Sequence, residues 1–227
     1  MSLNQILAIS ESVGINDQRF VGQVISRNQR ISTSEIITVI PFAFEMKPMN
    51  YLYYSKNRDL LNSLRIPDKA LAQYLNFGTT GWKSYIAYQG DMTSGQISSC
   101  QWQTSSANKT LVLGSLPSIS SSLYIVKAGD FCQVGLYAYI ATADVQRGSG
   151  STVSIPVHRN LITTLTSPVN AVIGEYGTTV SMGGTTYTGT TFQVVLRDYP
   201  TYTLVPCVAN DSFIQWSGSF KAFEDVL

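Results

Sequence analysis

The pattern of apolar and polar positions between residues 18 and 48 is typical of β-strands. The segments FVGQVIS and SEIITVIPFAFEM are rich in β-branched and aromatic residues, which favour extended structure. The polar segment RNQRIST lies between them. We therefore predict a long hairpin from Phe20 to Met46, followed by a short strand in MNYLYYS.

The periodicity becomes helical in the segment that follows. Apolar residues recur at helical spacing at Leu60, Leu61, Leu64, Leu71, Tyr74 and Leu75. Proline suits the first position of a helix but not its interior, so Pro67 divides the segment near Ile66. Gly78 lies just beyond the expected end. The pattern predicts two short helices between residues 57 and 77.

From Trp82 onward the pattern again indicates short strands separated by turns. Gly129–Asp130 and Gly183–Gly184 are turn signals, the second at the place of a two-residue hairpin turn. Candidate strands lie in WKSYIAYQGD, QISSCQWQT, KTLVLGSL, SLYIV, TYTLVP and SFIQWSGSFKAFEDVL. Many short strands with regular turns predict a mainly β fold, either a sandwich or a barrel.

Composition and charge restrict the possible partners. Only 13% of the residues are charged and the net charge is +1. Lysine and arginine are scattered, so no basic stripe offers a track for the phosphates of a nucleic acid. No apolar run is long enough to span a membrane, and the N-terminal segment lacks the features of a secretory signal. We expect synthesis in a cytoplasm.

The cysteines do not indicate a metal or redox site. Cys100, Cys132 and Cys207 are widely spaced and fit no paired-cysteine motif. With a single histidine in the chain, a zinc site would need ligands from distant loops. We expect buried free thiols, no bound metal and no cofactor.

The only histidine, His158, closes the segment VQRGSGSTVSIPVHR. Strand alternation places it on the face opposite Val153, Ile155 and Val157, so we expect its side chain to face outward. We therefore expect His158→Ala to leave assembly and function nearly normal. As a base it would need Asp144 as partner and Ser151 or Ser154 as the hydroxyl, and no nucleophile motif supports that arrangement. We predict no catalytic residues.

Two segments rich in tyrosine and tryptophan, MNYLYYS and WKSYIAY, bear on function. Some of these rings belong to an ordinary β core, since tyrosine is often only half buried. Exposed ones suit protein interfaces and also stack on sugars. A chain with few charges and many hydroxyls and aromatic rings suits a subunit packed among neighbours.

Three segments together resemble proteins of tailed-bacteriophage tails and baseplates. They are VGQVISRNQRISTSEIITVIPFAFEM, YSKNRDLLNSL and IVKAGDFCQVGLYAYIATADVQRGSGSTVSIPVHRNL. The first is similar to the long hairpin of the tail-tube fold, the second to a stretch of tail hub proteins, and the third to a small β-barrel module of distal-tail proteins.

The resemblance implies a tail-tube-like β-sandwich with a short helix pair, formed by residues 1–93 and 197–227, and an inserted β-barrel module in residues 94–196. It implies a non-enzymatic virion subunit that forms a six-fold ring with other tail or baseplate proteins and connects the tail tube to host-facing components. A carbohydrate- or receptor-binding module is the main alternative. A glycan hydrolase is the third candidate function, since the two carboxylates that such an enzyme needs can come from distant parts of a chain.

Overall fold

A computed structural model describes residues 3–17, 21–25, 31–35, 41–65, 72–78, 80–104, 108–208 and 210–226. The protein is mainly β, as the sequence predicts. The helices are α1 (Leu3–Ala8), α2 (Tyr54–Arg65) and α3 (Ser94–Ser99). The strands are β1 (Ser10–Asp17), β2 (Val21–Ile25), β3 (Ile31–Glu35), β4 (Phe42–Pro48), β5 (Leu52–Tyr53), β6 (Gln73–Asn76), β7 (Gln101–Trp102), β8 (Thr110–Gly114), β9 (Tyr124–Val126), β10 (Phe131–Val134), β11 (Tyr137–Ile140), β12 (Val145–Gln146), β13 (Val153–Pro156), β14 (Val169–Asn170), β15 (Val172–Ile173), β16 (Tyr176–Gly177), β17 (Val180–Met182), β18 (Thr185–Tyr187), β19 (Thr191–Asp198), β20 (Tyr202–Val208), β21 (Asp211–Trp216) and β22 (Phe220–Glu224).

The two ends of the chain meet in one antiparallel sheet, in the order β1-β4-β22-β19-β6. Alternation along β4 turns Phe42, Phe44 and Met46 inward, as a strand with one buried face requires. These side chains pack with the apolar residues of α1, β19 and β22 into a first hydrophobic core. A three-stranded sheet, β20-β21-β5, adds Ile214 and Trp216 to the same core.

A second hydrophobic core is formed by the middle of the chain. Two four-stranded sheets contribute to it, β13-β8-β7-β14 and β11-β10-β15-β16. Trp102 belongs to this core and is fully buried, and its indole N–H donates to the carbonyl of Gln133 at 2.8 Å. Pairing the polar end of a buried tryptophan in this way avoids the cost of an unsatisfied donor.

Side-chain amides and carboxylates connect the two cores. Gln133 of β10 both donates to and accepts from the backbone of Thr191 in β19, at 2.8 Å each. The segment that leads from the first core into the second is held by the backbone N–H of Tyr88, which donates to Glu175, and that of Gln89, which donates to Asp130. Burial raises the pKa of Asp130.

The predicted domain boundary between residues 196 and 197 falls inside β19. This strand pairs with β6 through Thr191–Val194 and with β22 through Val194–Asp198. Phe131 and Ala138, from the segment predicted as the inserted module, pack in the first core. The separate folding of the middle segment therefore stays a prediction, with a boundary drawn before β19.

The second predicted helix is wrong in its last part. Residues 73–76 form strand β6, which pairs with residues 191–194 of β19. Leu75 is buried in the first core and Tyr74 is half-buried. Hydrogen bonding to a neighbouring strand overrides a helical spacing in so short a segment. The first predicted helix is confirmed by α2, while residues 66–71, including Pro67, lie outside the described residues.

Two segments predicted as strands are helical or irregular. Within WKSYIAYQGD the residues Lys83–Tyr85 form one turn of 3-10 helix, because the Trp82 indole N–H donates to Leu7 and the Tyr85 hydroxyl donates to Val13. Within QISSCQWQT the first residues belong to α3. Thr93 and Gln96 form a reciprocal capping box at its start, which fixes the helix.

The predicted Gly183–Gly184 turn is confirmed. It joins β17 to β18 in a hairpin whose last pair is Met182 with Thr185, and both glycines have positive φ, 56° and 77°. Residues other than glycine rarely adopt such angles. They are typical of a two-residue turn whose twist matches that of the flanking strands.

The predicted hairpin from Phe20 to Met46 is confirmed only for its inner part. Strands β2 and β3 pair from Val21–Glu35 to Ile25–Ile31. Residues 42–46 instead belong to β4, which pairs with β1 and β22. The remaining parts of this prediction, residue 20 and residues 26–30 and 36–40, lie outside the described residues.

The second core predicts that the segment from Tyr88 to Thr188 folds by itself. Expressed alone, it is expected to give a β-type circular dichroism spectrum and a cooperative thermal transition, because its apolar residues pack chiefly with one another. An unfolded fragment, together with a single transition for the whole chain, would show instead that the two cores form one cooperative unit.

Candidate functional site

His158 is buried, contrary to the outward orientation that the sequence predicts. It is 9% exposed, its Nδ1 accepts a hydrogen bond from the backbone N–H of Ile140 at 3.0 Å, and its ring centre lies 5.1 Å from that of Phe42. Strand β13 ends at Pro156, so the alternation that predicts an outward side chain does not extend to residue 158.

The hydroxyl and carboxylate groups proposed as partners of His158 are engaged elsewhere or exposed. Asp144 accepts a hydrogen bond from the backbone N–H of Ala128 at 2.8 Å. Ser151 and Ser154 are exposed. The structure therefore does not assemble these residues into the arrangement that nucleophilic catalysis requires.

Next to His158 lies a fully buried ion pair between Arg159 and Glu224. Nη1 and Nη2 of the guanidinium bond the two carboxylate oxygens at 2.5 and 2.6 Å. Nη2 also donates to the carbonyl of Ala138 at 2.7 Å, and the carboxylate accepts the backbone N–H of Phe42 at 3.1 Å. The guanidinium packs 5.1 Å from the Phe42 ring centre and 5.2 Å from that of Tyr139.

This ion pair joins the middle of the chain to its last strand. Burial raises the pKa of Glu224, because the loss of solvent outweighs the opposing effects of the Arg159 hydrogen bonds and the Phe42 N–H. Two buried charges in this geometry stabilise the fold only as a pair, because loss of either one leaves the other buried without a counter-charge. Arg159 and Glu224 are therefore structural residues.

The three cysteines are free thiols, and the prediction that they are buried is confirmed for two of them. Cys100 and Cys132 are buried, and Cys207 is half-buried. Burial raises the pKa of Cys100 to about 11 and that of Cys132 further, so both buried thiols stay protonated at neutral pH. In the described part of the chain, no three histidine, cysteine or acidic side chains come close enough to hold a metal ion.

An exposed aromatic cluster lies on the outer face of the sheet β20-β21-β5. The ring of Phe213 lies 5.9 Å from Tyr51 and 5.1 Å from Tyr53, centre to centre. Tyr51 is 64% exposed and has a positive φ of 64°, a conformation uncommon for residues other than glycine. Two exposed tyrosine rings against the half-buried ring of Phe213 form an aromatic patch of the kind found at interfaces.

Strand β20 forms the edge of the same sheet. Among the described residues it pairs only with β21, from Tyr202–Trp216 to Val208–Asp211. Leu204 and Val205 point to opposite faces of this strand and are 44% and 39% exposed. A seven-residue edge with exposed apolar side chains on both faces is an open site for pairing with another strand.

A separate cleft of about 650 Å³ lies beside β6, between α1 and the hairpin β17–β18. We call it the amide cleft. Carboxamides, phenols and one hydroxyl line it, from Asn4, Gln5, Gln73, Tyr74, Thr185 and Tyr187.

One polar atom at the amide cleft lacks a partner. Gln73 is 9% exposed, and within the described structure no donor reaches its Oε1. An unpaired buried oxygen of this kind costs about 1–3 kcal/mol. Asn4 is already partly engaged, because its Oδ1 accepts the backbone N–H of Asn76 at 2.7 Å.

Sequence reasoning missed the residues that matter most at these sites. Glu224 shares the buried face of β22 with Phe220 and Ala222. A charge at an inward position of a strand indicates a buried partner, and this signal was available. Gln73 gave no comparable signal, because a helix was predicted where it lies.

Comparison with known proteins gives no assignment: no protein-family model and no curated protein matches this chain. Of the helices in the described ranges, none has both the length and the apolar character needed to cross a bilayer.

The buried ion pair predicts a large loss of stability when one partner is removed. Glu224→Gln should lower the free energy of unfolding in urea by about 3–5 kcal/mol, because Arg159 would remain buried without its counter-charge. Glu11→Gln is the matched control, since it breaks the exposed Lys47–Glu11 pair, which is worth about 0–1 kcal/mol. Equal losses in the two variants would contradict the structural role.

Because the His158 side chain is buried, we expect His158→Ala to destabilise the fold. It removes the ring packed on Phe42 and leaves the N–H of Ile140 without its acceptor, a loss of about 1–3 kcal/mol. Ser154→Ala, on the exposed face of β13, should change stability by less than about 0.5 kcal/mol. Thermal melts of both variants test this, and identical transitions would refute it.

Proposed function

We propose that the chain is a non-enzymatic structural subunit of a virion, which forms a ring in the tail or baseplate of a bacteriophage. In this role it connects the tail tube to host-facing components after assembly in the host cytoplasm. The resemblance in sequence motivates the proposal, and the observation that supports it is the open edge at β20.

Strand β20 has the properties that a subunit needs to extend its sheet into a neighbour. Among the described residues no strand pairs with its outer side, where the N–H and C=O groups of alternate residues point away from β21, and Pro206 lacks an N–H. Leu204 and Val205 keep 44% and 39% of their surface exposed. Repetition of one such contact around an axis closes a ring when the rotation between subunits divides a full turn, as six-fold symmetry does.

The aromatic cluster lies on the face next to this edge. Phe213 pairs with Tyr53 on one side and with Val205 on the other, so rings and edge form one continuous surface. Burial of the cluster against a second subunit would add aromatic contacts, which dominate the energetics of many interfaces. The hairpin β2–β3, whose strands pair only with each other among the described residues, is a candidate for the complementary edge.

A charge on β20 should block this assembly. Val205→Lys places an ammonium where the neighbour's strand is proposed to pack, and burial of an unpaired charge is costly. We expect the full chain to associate as its concentration rises, and the variant to associate at least about a hundredfold more weakly. Light scattering gives both masses.

Ser98→Lys is the control, since it adds the same charge to an exposed position of α3. It should associate like the unmodified chain. Circular dichroism should be the same for all three proteins. Association of Val205→Lys at the strength of the control would exclude β20 from the interface.

A further inference from the structure

We propose that the amide cleft binds a neutral saccharide. It lies beside β6, at the edge of the five-stranded sheet, whereas the proposed ring contact involves β20 of a different sheet. The inference therefore does not depend on ring formation.

The cleft has the size and the walls of a small-molecule site. Its volume of about 650 Å³ lies within the range of about 300–1,000 Å³ that is usual for such sites. Tyr74 and Tyr187 form one wall, with ring centres 6.0 Å apart and planes inclined at 40°. Both side chains are half-buried, so each ring keeps part of its surface for a ligand.

A fixed backbone holds these rings in place. Gly183 has a positive φ, and a Cβ built on it would lie 2.3 Å from Cε2 of Tyr74. The backbone of the hairpin turn therefore packs directly against the Tyr74 ring, with no room for a side chain at residue 183. On the other side of the cleft, the hydrogen bond from the N–H of Asn76 to Asn4 ties α1 to β6. Such a rigid frame reduces the entropy that a ligand must lose.

Gln73 supplies the specific indication of a ligand. Gln73 lines the cleft and is 9% exposed, and no donor among the described residues bonds its Oε1, an atom that is itself out of contact with solvent. A hydroxyl of a bound molecule would reach this oxygen only after a rotation of the carboxamide that turns Oε1 toward the cleft. Gln5 is exposed at the same cleft and offers a second carboxamide, which can donate and accept at once.

The chemistry of the cleft matches the two kinds of surface on a sugar ring. Carboxamides and the hydroxyl of Thr185 suit neighbouring sugar hydroxyls, which both donate and accept. The faces of Tyr74 and Tyr187 suit the C–H face of a pyranose. None of the described lining residues is charged, so neither an anion nor a cation finds a counter-charge there.

The test is saturation-transfer NMR on the full chain with maltose, lactose and chitobiose, and with acetyl-triglycine amide as a peptide probe. We expect at least one saccharide to bind and the peptide not to bind. Gln73→Leu should weaken that binding by about tenfold, because it removes a hydrogen-bonding partner. The same change should leave the thermal transition unchanged or higher, because it removes an unpaired buried oxygen.

Gln146→Leu is the matched control, an identical replacement at an exposed glutamine of β12, and it should bind as the unmodified chain does. A second variant, Tyr187→Ala, tests the aromatic wall and should also weaken binding. Binding of none of the saccharides, binding of the peptide alone, or equal affinity in Gln73→Leu and Gln146→Leu would overturn the proposal. None of these outcomes alters the association measured for the β20 variants.

Discussion

The ion pair between Arg159 and Glu224 is the interaction on which the arrangement of the two cores depends. Removing an arginine and a glutamate from water costs several kcal/mol per ion, and only close geometry with further hydrogen bonds offsets it. Here the bidentate contact is supplemented by the carbonyl of Ala138 and the N–H of Phe42. These partners come from distant parts of the chain, so the pair is satisfied only when both cores are assembled.

Other contacts across the two cores follow the same principle. The Gln133 amide bonds the backbone of Thr191, and Asp130 and Glu175 accept N–H groups from the connecting segment. Buried polar groups of this kind are costly when unpaired and directional when paired. They favour one relative arrangement of the sheets.

The parts of the fold that sequence predicts well are those where one strand face is buried and turns have special residues. Phe42, Phe44 and Met46 follow the alternation, and Gly183–Gly184 forms the expected turn. Prediction fails where a distant partner decides the structure. Residues 73–76 become a strand through β19, and α3 is set by a capping box with a single buried apolar residue, Ile97. Likewise, the environment of His158 depends on Phe42 and Ile140, which no local pattern reveals.

Electron microscopy of the purified chain, at concentrations where it associates, tests the central claim most directly. The account predicts closed rings with a central channel, in which adjacent subunits meet along β20 and its aromatic face. Particles of the size of a single 24.9 kDa chain at every concentration, or open filaments without a closed ring, would contradict it.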